Sequence, residues 1–105
     1  MLKKTVPRES YKSDLKFLND LPGCRAEKQH GSPYGVSGLD IRGCINGRMF
    51  IIEKKKIGEM PTDRQLSRLR MWGAVGAITG WYCTRVELLQ IFSNHGVVLL
   101  DLHDA

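Results

Sequence analysis

Cysteine is scarce in this chain: Cys24, Cys44 and Cys83 are odd in number and form no CxxC pair. That excludes a disulfide framework as the organising device and points to a reduced setting, the cytoplasm. By residue type, the three thiols with His30 would supply a zinc set, although no ligand spacing supports one. No run approaches the roughly 18 consecutive apolar residues of a membrane span. The opening MLKKTVPRES leads into polar residues rather than a signal-peptide core, so neither a membrane nor a secreted protein is expected. Compositional bias is missing too: 42% apolar and 26% charged residues are ordinary for a globular protein. With 105 residues and no internal repeat, a single domain over 1–105 is expected.

What the chain has in excess is positive charge, with a formal net charge of +5 and a pI near 9.3. The excess is localised. Residues 1–39 hold seven Lys/Arg against four Asp/Glu, residues 40–70 hold eight against four, and residues 71–105 hold one against three. A basic middle segment attracts polyanions, and a nucleic acid is the natural partner. A solvated basic face without a partner has the same composition.

Apolar residues at Tyr11, Leu15, Leu18 and Leu21 define one face of a helix over about 8–21, stopped by Pro22-Gly23. One short strand fits near the start of residues 24–38, before a Gly/Ser/Pro-rich loop. Residues 39–45 and 48–55 read as strands around Asn46-Gly47, a pair suited to the positive φ angles of a type I′ turn. Thr62 and Gln65 fit a capping box opening a helix with Leu66, Leu69 and Trp72 or Gly73 on one side. Its other side holds Arg64, Arg68 and Arg70. A strand over 77–83 follows. Thr84 with Glu87 then caps a helix over 86–94, and VVLLDL, residues 97–102, reads as a last strand. This order lacks strict βα alternation, so the expected fold is α/β with a central mixed β-sheet flanked by α-helices.

The hairpin has a chemical consequence. With Asn46 and Gly47 in the turn, Ile45 faces Arg48, and Asp40 faces Glu53 on the next strand. Directly opposed side chains project to the same side of a sheet, and like charges so placed destabilise it. Lys55 shares that side, while Phe50 and Ile52 point to the other. A hard divalent cation would resolve the conflict, since Mg²⁺ takes one or two carboxylates together with water and phosphate oxygens. Lys55 would then hold a water or stabilise charge on a phosphate. An ion network with Lys55 and Arg42 would also neutralise the two acids.

The stretch GLDIRGCINGRMFIIEKKK, followed by a Gly-containing loop and TDRQ, resembles the PD-(D/E)xK nuclease superfamily, in particular the virus-type replication-repair nuclease (VRR-NUC) domains. The resemblance runs over about residues 35–78. It implies a restriction-endonuclease-like core, Mg²⁺ (or Mn²⁺) as cofactor, and Asp40, Glu53, Lys55 and Gln65 as catalytic residues. Asp40, Glu53 and the backbone carbonyl of Lys54 would bind the metal, with Glu9, or alternatively Asp14, as the acid that this family places on its first helix. Two departures stand out: Leu39 where proline is usual, and Lys54 where the middle of E-x-K is usually apolar. N-capping accounts for Gln65 without catalysis, and the helix dipole accounts for Glu9.

Lys28, Lys54, Lys56, Arg64, Arg68 and Arg70 are the expected DNA contacts, and His30 also lies where it could approach substrate. Stand-alone chains resembling this one are typically bacterial or viral homodimers that cut branched DNA. The expected function is therefore a structure-selective endonuclease, resolving Holliday junctions ahead of flap or single-strand cleavage, in a bacterial or phage-infected cell. Trp72, Val75 and Trp81, together with the apolar last strand, are the surface expected to meet a second subunit. A DNA-binding domain with purely structural acids, or a basic protein-interaction module, are the readings that need no metal.

Overall fold

A computed structural model describes residues 6–28 and 39–97 of the chain. The hairpin organises them. Asn46 and Gly47 take φ of 50° and 83°, as a type I′ turn requires, and the twist of that turn matches the strands on either side. It joins β2 (Leu39–Ile45) to β3 (Arg48–Lys54) in the register that pairs Ile45 with Arg48 and Asp40 with Glu53. Before them, β1 (Cys24–Lys28) pairs antiparallel with β2. Beyond β3, β4 (Ile78–Tyr82) lies parallel to it. The sheet is therefore mixed, in the order β1-β2-β3-β4.

Three helices flank the sheet among the described residues: α1 (Val6–Asn19), α2 (Asp63–Ala74) and α3 (Arg85–Asn94). The capping boxes expected for the latter two are both formed, by Thr62 with Gln65 and by Thr84 with Glu87. Alternation along the strands divides their residues between two layers. Ala26, Ile41, Ile45, Phe50, Ile52, Ile78 and Tyr82 form one layer with Leu18 and Leu21 and with Leu88, Ile91 and Phe92 of α3. This is the main core. Phe50 meets Phe92 edge to face, with ring centroids 5.2 Å apart. Gly43 makes room for that ring and for β1, because a Cβ there would lie 1.9 Å from the Arg25 carbonyl oxygen and 2.8 Å from Phe50 Cζ. Asn19 ties α1 to β1: its Oδ1 accepts from the Ala26 N–H at 2.8 Å and its Nδ2 donates to the Ala26 carbonyl at 3.0 Å.

On the opposite layer α2 packs over β3 and β4, with Leu69 and Ile51 buried between them. Such a connection follows from the parallel β3–β4 pair, whose crossover must span the sheet and is usually helical. Helix and strand boundaries differ from the sequence reading by a residue or two, as fraying ends do. The expected strand over 97–102 lies outside the described residues except for Val97, which packs against the core. No helix among the described residues is long and apolar enough to cross a membrane.

One polar cluster penetrates the main core. Asp14 is buried, and its carboxylate accepts from the Tyr82 hydroxyl at 2.8 Å, pairs with Lys54 Nζ at 3.0 Å and receives two Arg85 nitrogens at 3.0 and 3.2 Å. The Lys54 ammonium also lies 4.8 Å from the centre of the Tyr82 ring. Lys54, expected to reach solvent or DNA, instead turns inward. Glu53 before it faces α2, so alternation sends it toward α1, where Asp14 is the one buried anion among the described residues. Breaking a buried pair strands a charge, so Asp14→Ala should cost roughly 3–5 kcal/mol of unfolding free energy. Urea denaturation checks this, against Lys16→Ala in the exposed Lys16–Asp20 pair, which should leave the midpoint unchanged.

Candidate functional site

The face beneath α2 holds the acids. Asp40 and Glu53 are opposed Cα partners, 7% and 2% exposed, so the like-charge conflict implied by the hairpin is real and is sharpened by burial. Two side chains from α2 answer it. Arg68 Nη1 lies 2.5 Å from Asp40 Oδ2, and Gln65 Nε2 donates to Glu53 Oε2 at 3.2 Å. The other Asp40 oxygen, Oδ1, is buried with no hydrogen-bond partner among the described residues.

Gln65 combines the two roles that its position in the sequence left open. Its Oε1 accepts from the Thr62 N–H at 2.9 Å, completing the capping box, while its Nε2 reaches Glu53. The cap thus orients the amide, and the start of α2 is held against the carboxylate. Arg68, expected on DNA, has an additional role as the counter-ion of Asp40. Nothing in its local sequence indicates this, because a contact 28 residues apart depends on where α2 crosses the sheet.

Burial, and then the charge of Asp40, raise the Glu53 carboxyl to about 7, against smaller opposing effects from Lys55, Arg68 and Lys28. That influence of Lys55 agrees with its place on the Glu53 side. It is half-exposed just beyond β3, where its N–H still donates to the Tyr82 carbonyl at 2.9 Å. Lys56, Arg64 and Arg70 are exposed, and Arg68 is half-exposed. Lys28 is half-buried, its ammonium 5.3 Å from the centre of the Tyr11 ring. Lys55, Arg68 and Lys28 thus bring positive charge to the acids, from just beyond β3, from α2 and from β1.

The remaining candidates do not converge on this pair. Asp14 lies on the other side of the sheet, committed to Lys54, Tyr82 and Arg85. That role was partly legible, since position 14 falls on the helical face of Tyr11 and Leu18. The Glu9 side chain and all of His30 lie outside the described residues. The zinc set is not assembled: Cys24 is on one edge strand of the described sheet and Cys83 just past the other, and no cluster of three or more His, Cys, Asp and Glu occurs among the described residues.

The donor set nevertheless fits a hard divalent cation. Two adjacent carboxylates, one with a buried oxygen that no described residue satisfies, are the kind of oxygen ligands Mg²⁺ takes. Comparison with known protein families, with curated proteins and with solved structures found no match, so the chemistry rests on this geometry.

Glu53 also couples the site to pH. Its folded-state pKa of about 7 lies above the ordinary 4.5, so between those values the folded chain keeps a proton that the unfolded chain has lost. Stability attributable to this group falls as pH rises through that window and levels off above it. Glu53→Gln cannot ionise. In EDTA it should be more stable than the parent at about pH 8, with the advantage shrinking below pH 7 and vanishing near 4.5. Thermal melts of both proteins across this range measure the difference.

Proposed function

We propose that this chain is a metal-dependent, structure-selective DNA endonuclease of the PD-(D/E)xK type, similar to VRR-NUC domains and built on a restriction-endonuclease-like core. The observation that carries the reading is the buried, opposed Asp40–Glu53 pair with its unpartnered Asp40 oxygen. Gln65 and Lys55 beside it complete the side-chain set that the resemblance implies. Asp40, Glu53 and the Lys54 carbonyl would hold Mg²⁺, or Mn²⁺ in its place. When bound, the ion supplies Lewis-acid polarisation of a phosphate oxygen and a more acidic water.

The chain's own groups have distinct tasks in this reading. Gln65 holds the Glu53 carboxylate in one orientation through the cap of α2. Lys55 orients a water or stabilises negative charge on the phosphate that is cut. Lys56, Arg64 and Arg70 bind the DNA backbone, and Arg68 exchanges between Asp40 and a phosphate. The preferred substrate is branched DNA, the four-way junction foremost, cut by a homodimer whose two sites match a two-fold substrate. The setting is the cytoplasm of a bacterial or phage-infected cell.

A DNA-binding domain without catalysis is the second reading, and the Arg68–Asp40 pair favours it because Arg68 already neutralises Asp40. The metal discriminates between the two. Purified protein should cut labelled four-way DNA in Mg²⁺ and not in EDTA. Asp40→Asn or Glu53→Gln should abolish cutting while DNA binding persists, and Lys55→Ala should slow it by roughly 100-fold or more. Full activity in either acid variant removes the site assignment. A monomeric mass by light scattering removes the symmetric arrangement.

Binding should also depend on salt. Each phosphate neutralised contributes about 0.9 to the slope of log K against log salt concentration, so Arg64→Ala and Arg70→Ala should each flatten that slope by about 1. Affinity titrations at several salt concentrations provide the check, and salt-independent binding excludes DNA as the ligand.

A further inference from the structure

The outer side of α2 carries a feature that hydrolysis at the carboxylates does not use. Asp63, Arg64, Ser67, Arg68, Met71 and Trp72 line a shallow groove of about 500 Å³. Met71 is 68% exposed and Trp72 40% exposed, a large amount of apolar surface to leave in water beside two guanidinium groups. Arg64, Arg68 and Trp72 follow at intervals of four residues, so they form a stripe rising about 6 Å per step along the helix. Arg68 belongs to both places. It lines the groove and contacts Asp40 at the same time.

The geometry points to a binding subsite for an unpaired nucleotide, its base stacked on Trp72 and Met71 and its backbone phosphate held by Arg64 and Arg68. Aromatic faces accept any base that is out of a duplex stack, and adjacent arginines track the backbone of such a strand. A paired base keeps its faces within the duplex and has none to offer Trp72. The subsite therefore selects DNA with unstacked bases, as found at a branch point or a single-stranded arm, over continuous duplex.

A second copy of the chain is the competing occupant. A two-fold contact places the same patch against itself, so Arg64 and Arg68 of each copy would meet those of the other. Among the described residues only one carboxylate per copy, Asp63, lines the groove to offset them. The charge of the groove suits a polyanion better.

The location beside the cutting site rests on the nuclease reading, whereas the binding preference does not, and the experiment separates them. Fluorescein-labelled oligo(dT) and a hairpin duplex of equal charge are titrated in EDTA, by anisotropy, with the full chain and its Trp72→Ala and Trp72→Phe variants. Trp72→Ala should weaken oligo(dT) binding about tenfold and duplex binding by less than about twofold, and Trp72→Phe should retain most of the affinity. Equal losses for both DNA forms, or no loss for either, overturn the subsite. So does a Trp72→Ala variant of halved mass by light scattering with unchanged DNA affinity, which assigns the groove to a second copy. Cleavage of four-way DNA by the parent in Mg²⁺ is measured alongside. Discrimination without cleavage upholds the subsite and removes the nuclease, and cleavage without discrimination does the reverse.

Discussion

Two carboxylates forced together under a helix are the constraint on which this structure turns. The Asn46-Gly47 turn determines the register of β2 against β3, and the register sets Asp40 opposite Glu53. A slip of one residue would send one acid to each face of the sheet. Because α2 then covers the pair, the repulsion cannot be relieved by water, and each neighbour has to be read as a response to it. Glu53 holds its proton up to about pH 7, Arg68 stands against Asp40, Gln65 donates to Glu53, and one Asp40 oxygen is left unsatisfied. Folding tolerates this arrangement at a cost in stability. Such a cost is common where a site is organised for a ligand rather than for the fold.

The end of β3 and the residue after it serve both sides of the sheet. Glu53 and Lys55 belong to the face under α2, while Lys54 is drawn through the other face to Asp14, Tyr82 and Arg85. The buried ion cluster gives the end of β3 an anchor opposite the acids. The middle lysine of the E-x-K triplet, unusual for the family that this stretch resembles, is accommodated because α1 supplies an anion at that position. Its charge is satisfied internally.

Helix α2 connects the two acids to the surface. One side sends Gln65 and Arg68 inward to the carboxylates, and the outer side presents Arg64, Met71 and Trp72 to solvent. Its amphipathicity is shallow, with a single buried residue, Leu69, inside the helix. The helix is held at its N-terminus by the capping box and across its middle by polar contacts to the two strands. Arg68 therefore links the interior pair to the surface groove.

Much of this was legible in the residues themselves. Local rules decide a type I′ turn, two capping boxes and the alternation of side chains, because each depends on dihedral angles and hydrogen bonds within a few positions. From them followed the hairpin register, the opposed acids, the Lys55 side of β3, and the mixed α/β architecture. The destination of Lys54, the pairing of Arg68 with Asp40 and the partner that Asp14 meets from the inner face of its helix, Tyr82, were not legible. Each joins residues tens of positions apart, and which charge meets which depends on where α1 and α2 cross the sheet. Sequence by itself determined which strand residues share a face, whereas it set Trp72 on the apolar side of α2, away from the Arg64 and Arg68 with which it lines the groove. Only the tertiary structure decided which of them are buried together, because desolvation and ion pairing act through space and follow the packing of the layers.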